Sequence, residues 1–198
     1  MKREEKLALR RRWLAALHQA GHTVIAVAQG HAERVLGLRF GLECTRGIDR
    51  DVKRVSALRL ERRDFVIRAL AGGEAERQLS HAAFIEVWGA GARRDYHDAH
   101  RALLEGHTDL QRVAPALVEA YVAEEREEAR QAARQLVVRH WHAIERLSEE
   151  LMNDDGVIER ARALDLIFAV DPLLEALPQV ITPVRRRYPR ASPHRQRP

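Results

Sequence analysis

The amino-acid sequence predicts a mainly α-helical domain that carries a small β-hairpin or sheet. Apolar residues recur at helical spacing over most of the 198 residues. Two short segments instead alternate between apolar and polar residues, as half-buried strands do. The length suffices for one domain with a hydrophobic core, and we expect that domain to span residues 1–181.

The first part of the chain predicts one long helix followed by the strands. An apolar stripe favours a helix from about residue 3 to residue 28, and Gly30 is a typical helix end. The alternating segments 34–40 and 54–60 are separated by a turn-like stretch, which indicates a hairpin or a sheet of a few strands.

The middle of the chain returns to a helical period over residues 62–80, although this segment contains Gly72-Gly73. Each glycine inside a helix costs about 1 kcal/mol relative to alanine. A glycine pair at this place therefore predicts that another backbone packs closely against the helix.

The boundaries of the remaining helices are predicted from the residues that interrupt the helical pattern. A helix is expected to start near Asp95, and residues 110–151 are nearly all helix-forming, with Pro115 at a start or a kink. Residues 153–156 break the pattern, and residues 157–170 predict a last helix.

Composition excludes several classes of protein. The longest apolar runs are far too short to span a bilayer, and the charged amino terminus is unlike a signal peptide. Cys44 is alone, which favours a reducing, cytoplasmic location. The chain contains no phosphate-binding Gly-x-x-x-x-Gly-Lys-Ser/Thr loop, so we expect no ATP site.

The formal net charge of +5 is concentrated in the tail, residues 182–198, which holds six arginines and no acidic residue. Subtracting the tail's +6 leaves −1 for residues 1–181. The tail is rich in proline and poor in apolar residues, so we expect it to be disordered and solvated. A helical nucleic-acid-binding protein that uses this tail is an alternative, which the near-neutral body disfavours.

The most informative motif is His18-Gln19-Ala20-Gly21-His22. Two histidines four residues apart on a helix share one face and could bind one metal ion. In zinc peptidases of this pattern a glutamate follows the first histidine and takes a proton from the water on zinc. Gln19 occupies that position here, and an amide cannot accept the proton.

Three segments resemble the FtsH-type zinc metallopeptidases, the proteolytic part of membrane-bound AAA+ proteases. His18–Ala26 is similar to that family's His-Glu-Ala-Gly-His-Ala-Val, and Leu70–Glu76 is similar to Leu-x-Gly-Gly-Arg-Ala-Ala. Gly91–Ala99 resembles Gly-Ala-Ser-Asn-Asp-Leu-x-x-Ala. The closing helices resemble the family more weakly, and the similarity extends from about residue 10 to residue 168.

The resemblance implies that zinc is bound by His18, His22 and Asp95, with an open fourth position for water. Asp95 could instead be only a helix N-cap. Glu74 and Glu76 are the competing carboxylates. In a closed, purely structural zinc site, His97 would be the most available fourth ligand.

The implied function is hydrolysis of peptide bonds in unfolded proteins or peptides, impaired in this chain by Gln19. Gln19 is either an engineered substitution or the native residue, and in the second case the protein is a pseudopeptidase or peptide-binding adaptor. Substrate segments are expected to add to the strand at 34–40. Family members form six-fold rings to which the motor contributes, so a homo-oligomer stays an open alternative.

Overall fold

The computed structural model describes residues 3–35, 37–40, 59–79, 90–105, 107, 111, 114–153 and 156–176. Within them the chain forms six α-helices and one two-stranded antiparallel sheet, which confirms the predicted fold class. The helices are α1 (Arg3–Ala28), α2 (Arg59–Leu79), α3 (Ala90–Glu105), α4 (Pro115–Arg139), α5 (Trp141–Asn153) and α6 (Arg160–Val170), and the strands are β1 (Gly37–Arg39) and β2 (Val157–Glu159).

Several sequence predictions concern residues outside these ranges, namely the domain boundary at residue 181, the basic tail 182–198 and Cys44. No helix in the described part of the chain has both the length and the apolar character needed to cross a membrane.

Helix α1 has the predicted bounds, and its two halves differ in burial. Residues 3–12 are exposed throughout, whereas the second half buries its apolar stripe completely at Leu17, Val24 and Ile25. Beyond the last turn, the N–H of Gly30 donates to the carbonyl of Val27, and Gly30 has a φ of 78°. Glycine adopts this left-handed conformation without steric cost, so it ends the helix as predicted.

Helix α2 is central to the domain, because it packs against α1, α3 and α4. Helix α5 packs against α1, and α6 packs against α5. The α1–α2 pair is antiparallel, since His22 contacts Arg68 and His18, one turn earlier in α1, contacts Glu76, two turns later in α2. This arrangement places the histidine face of α1 directly on α2.

The two backbones of the α1–α2 pair approach closely at glycine. A Cβ on Gly21 would lie 2.9 Å from the carbonyl oxygen of Ala71 and 3.3 Å from the Cα of Gly72. No residue with a side chain fits at such distances without moving its neighbours. The close backbone approach that Gly72-Gly73 predicts is therefore confirmed.

The small sheet joins segments that are distant in the chain. Strand β1 pairs with β2 in antiparallel register, with Leu38 opposite Ile158, and both of these side chains are buried. The small sheet is therefore confirmed, but the end of the second predicted strand is wrong, because Arg59 and Leu60 belong to α2. The rest of that segment, residues 54–58, lies outside the described ranges.

Three helix boundaries also differ from the prediction. The last helix starts at Arg160 rather than residue 157, because Val157–Glu159 is extended beside β1. The helix expected over 110–151 is two helices, α4 and α5, which meet at His140, and Pro115 is at the start of α4. Helix α3 begins at Ala90, so Asp95 is inside the helix and is not its N-cap.

Candidate metal centre

Helix α1 contributes two histidines to the candidate metal centre. His18 and His22 are one helical turn apart, and both are buried, at 5% and 7% exposure. Their rings meet edge to face with centroids 4.6 Å apart, and their Nε2 atoms are 3.1 Å apart. The i, i+4 spacing therefore does bring both imidazoles to one point, as predicted.

Asp95 reaches the same point from α3. Its Oδ2 lies 2.9 Å from Nε2 of His18 and 3.0 Å from Nε2 of His22. Three potential ligand atoms thus form a nearly equilateral triangle between two helices. These residues are a buried group that could hold a metal ion.

The hydrogen bond on the far side of His22 fixes how its ring can be used. Nδ1 of His22 lies 2.7 Å from the backbone carbonyl oxygen of Arg68, which can only accept a hydrogen bond, so Nδ1–H is the donor. In the neutral ring the lone pair of Nε2 then faces the Asp95 carboxylate and Nε2 of His18. Lone pairs that converge in this way need a cation among them, which is either a proton or a metal ion.

The size of the triangle suits a small divalent ion. Tetrahedral zinc holds nitrogen and oxygen ligands at about 2.0–2.2 Å, which corresponds to ligand-to-ligand distances of about 3.3–3.6 Å. The observed separations of 2.9, 3.0 and 3.1 Å are shorter than these distances, so the three side chains would have to move slightly apart to hold the ion. Two imidazoles and one carboxylate are also the type of ligand set found in open, catalytic zinc sites.

Gly72 leaves space beside the ligand atoms. A Cβ at this position would lie 2.6 Å from Nε2 of His22 and 2.8 Å from Cε1 of His18. Any side chain here would displace the imidazoles from their present positions. The glycine therefore keeps both rings in place against the α2 backbone.

The pKa values of His18 and Asp95 show how strongly these two buried groups interact with each other and with their neighbours. Burial by itself would lower the pKa of His18, but hydrogen bonding to Asp95 and Glu76 and the charges of both carboxylates raise it to about 9. Burial would raise the pKa of Asp95, yet the charge of His22 and hydrogen bonds from His18 and His22 hold it well below its usual range. For the protein groups alone, the favoured state near neutral pH is thus an anionic Asp95 beside a protonated His18.

The competing carboxylates of α2 do not join the triangle. Glu74 accepts a hydrogen bond from Nε of Arg130 at 2.8 Å and lies 3.5 Å from the guanidinium of Arg77. Glu76 is also buried, and its Oε1 lies 2.7 Å from Nδ1 of His18, on the side of the ring away from Asp95. Sequence reasoning considered Glu76 only as a ligand and missed this contact, although its spacing of four residues from Gly72 places it on the same face of α2.

The other histidines of α3 and its C-terminal end lie apart from the centre. His97 is exposed and packs edge to face against Tyr96, so a closed site with His97 as fourth ligand is not formed within the described residues. His100 lies 3.0 Å from the guanidinium of Arg126, and His107 lies 3.5 Å from Glu125.

Gln19 follows the first ligand on α1 and is half-buried. Its backbone carbonyl accepts a hydrogen bond from the hydroxyl of Thr23 at 2.9 Å. The position expected for a catalytic carboxylate is therefore occupied by an amide on the same helix that supplies both histidines.

Comparison with known protein families, curated proteins and solved structures gives no match for this chain. The geometry of His18, His22 and Asp95, a group that could hold a metal ion, is therefore the observation from which a function can be proposed.

Proposed function

We propose that the protein is an FtsH-type zinc metallopeptidase domain whose hydrolytic activity is impaired by Gln19. The observation that carries this proposal is the convergence of His18, His22 and Asp95 in one buried triangle beside Gln19. Ligand type, separation and burial all fit a zinc ion, and the residue next to His18 is where a peptidase of this pattern has its base.

The surrounding residues support an open metal site rather than a closed one. The described part of the chain supplies three ligands to this group, which leaves one position of a tetrahedral ion for water or a peptide carbonyl. A zinc ion bound there would supply Lewis acidity and a lowered pKa for its water. The Arg68 carbonyl orients the ring of His22, and Gly72, which has no side chain, leaves room for both imidazoles beside α2.

Gln19 determines what the centre can do. An amide can hydrogen-bond to a water or to a substrate, but it cannot remove a proton from one and deliver it to a leaving amine. General acid–base assistance of this kind contributes about 100- to 10,000-fold to a rate. We therefore expect the chain to bind zinc and to hydrolyse peptides slower by a factor in that range than a chain with glutamate there.

The resemblance in sequence gives the proposal its substrate class. The motif segments that are similar to the FtsH-type family contribute His18, Gly72 and Asp95, and these residues lie together in the folded chain. The substrates would be unfolded proteins or peptides, as the resemblance to the FtsH-type family implies. The same substitution, Gln19, favours a second candidate function, in which the domain binds peptides without cutting them.

The test combines metal analysis with reversal of the substitution. The purified protein is expected to carry or to take up one zinc ion per chain. Gln19→Glu should then raise zinc-dependent cleavage of casein and of a mixed peptide library by about 100-fold or more. Gln131→Glu, the same change at an exposed position of α4, is the matched control and should have no effect.

Two results would count against the proposal in different ways. A wild-type protein without stoichiometric zinc binding would remove the metal centre and the proposal with it. A Gln19→Glu protein that is fully loaded with zinc but cleaves nothing in the library would favour the peptide-binding function.

A further inference from the structure

A small pocket lies where α2, α3 and α4 meet, apart from the three candidate metal ligands. Its volume is about 220 Å³, and the described residues that line it do not include His18, His22 or Asp95. Two of its residues nevertheless stand next to the centre in the chain, since Gly73 follows Gly72 in α2 and Tyr96 follows Asp95 in α3. The pocket is thus a separate feature of the same three helices.

One wall of this pocket carries an excess of positive charge. Arg77 and Arg130 contribute two guanidinium groups, and Glu74 contributes one carboxylate. Glu74 is 5% exposed and accepts a hydrogen bond from Nε of Arg130 at 2.8 Å. Nη1 of Arg130 lies 3.3 Å from Glu127, whose side chain is 56% exposed, so that this second ion pair contributes little. Two cations therefore face one buried carboxylate.

Two hydrogen-bond donors of the same wall have no partner among the described residues. The contacts of Arg130 use Nε and Nη1, which leaves its Nη2 without one. The hydroxyl of Tyr96, a half-buried residue, also makes no hydrogen bond within the described part of the chain. The guanidinium of Arg126 lies 4.4 Å from the centroid of the Tyr96 ring and adds a further cation beside the pocket. Donors of this kind on a positively charged wall suit an anion.

The rest of the pocket and its size narrow the kind of anion. Ala69, Leu70 and Ala92 form an apolar wall opposite the charged groups. Pockets for drug-sized ligands have volumes of about 300–1,000 Å³, so a ligand of this smaller cavity is no larger than about one amino-acid residue. A guanidinium group matches the planar geometry of a carboxylate.

We propose that this pocket binds a carboxylate that bears an apolar substituent, as the C-terminal residue of a peptide does. The hydroxyl of Tyr96 and Nη2 of Arg130 donate to the carboxylate, and the wall around Leu70 packs against the substituent. The inference goes beyond the proposed peptidase function, because this binding requires neither a metal ion nor any of the three candidate ligands.

The experiment titrates the full chain with small probes in the presence of the neutral chelator phenanthroline, so that no carboxylate binds to zinc. N-acetyl-leucine has the carboxylate and the apolar side chain, and a ligand of so few atoms is expected to bind in about the millimolar range. N-acetyl-leucine amide lacks the carboxylate and should bind at least about tenfold more weakly. The α-amide of N-acetyl-aspartate, with its carboxylate on the side chain, and inorganic phosphate should also bind more weakly than N-acetyl-leucine.

Tyr96→Phe is the central variant, because it removes only the hydroxyl and keeps the ring beside Arg126. It should weaken the binding of N-acetyl-leucine by about tenfold. Tyr121→Phe, the same change at a tyrosine that is 47% exposed, is the matched control and should have no effect. Arg130→Gln should weaken binding at least as much, with Arg134→Gln at an exposed position of α4 as its control. Arg130 also pairs with a buried carboxylate of α2, so Tyr96→Phe provides the test if Arg130→Gln does not fold.

The outcomes separate this pocket from the metal centre. Absence of binding, or equal binding of N-acetyl-leucine and its amide, would overturn the carboxylate site. Tighter binding of phosphate or of the aspartate probe would overturn the assignment to a C-terminal residue, and wild-type binding in Tyr96→Phe would overturn the location. Tyr96→Phe should retain the zinc affinity of the wild type. A wild type that binds no Zn²⁺ refutes the proposed function, whereas the probes alone decide whether the pocket binds a carboxylate.

Discussion

Replacing Gly72 with alanine is the most direct test of how α1 and α2 hold the histidines. The added Cβ would lie 2.6 Å from Nε2 of His22 and 2.8 Å from Cε1 of His18. Non-bonded carbon contacts are normally about 3.5–4.0 Å. The imidazoles would therefore have to move by about 1 Å, and Nε2 of His22 is one of the three candidate ligand atoms.

Gly73→Ala is the matched control, because it makes the same change one residue further along α2. Among the described residues, its Cβ would lie 3.4 Å from the Cβ and 4.0 Å from the Cα of Ala92, which is close to ordinary contact. Both variants gain up to about 1 kcal/mol of helix propensity. Gly72→Ala also has a cost of overpacking of about 1–3 kcal/mol.

We therefore expect the free energy of unfolding of Gly72→Ala to be lower than that of Gly73→Ala by about 1–3 kcal/mol. Urea denaturation in the presence of a chelator measures this difference. Zinc affinity should fall in Gly72→Ala and stay at the wild-type value in Gly73→Ala. Equal stability and equal zinc affinity in the two variants would refute the close approach of Gly72 to the histidines.

Three further predictions follow from the same structure. Asp95→Ala should lower zinc affinity by more than about 100-fold, because losing a ligand costs more than losing a residue that supports one. Asp98→Ala, which changes a residue of the same helix that is paired with Arg101, should leave zinc affinity unchanged. Retained affinity in Asp95→Ala would exclude the carboxylate ligand. In the presence of a chelator, the free energy of unfolding should decrease as the pH rises from about 6.5 to about 9, because the pKa of His18 is raised to about 9 in the folded chain and the interactions of its protonated ring are lost above that value. Zinc affinity should increase over the same pH range, since the metal displaces the proton. A free energy of unfolding from urea denaturation that does not change with pH would contradict the raised pKa of His18. Truncation after Ile181 should leave the circular dichroism spectrum, melting temperature and zinc content unchanged, because the Pro- and Arg-rich segment that is removed has few apolar residues to contribute to a core. A marked drop in melting temperature would mean that the tail packs on the domain.

Local spacing along the chain was enough to predict the fold class and part of the centre. The bounds of α1 follow from its apolar stripe and from Gly30, and the shared face of His18 and His22 follows from the helical period. Gly72-Gly73 indicated a close backbone approach because glycine is otherwise unfavourable in a helix. Each of these features depends on residues within a few turns of one another.

Only the tertiary structure decided which of these faces meet. The contact of Asp95 with His22 joins residues 73 positions apart, and the pairing of β1 with β2 joins Leu38 to Ile158, 120 positions apart. The contact of Glu76 with His18 likewise depends on the antiparallel packing of α1 on α2. A sequence period determines which side of an element is apolar, but the partner of that side is set by how all the elements pack together. For this reason the helical period predicts the histidine pair, the resemblance alone implied Asp95, and only the packing of the helices brings Asp95 and Glu76 to His18.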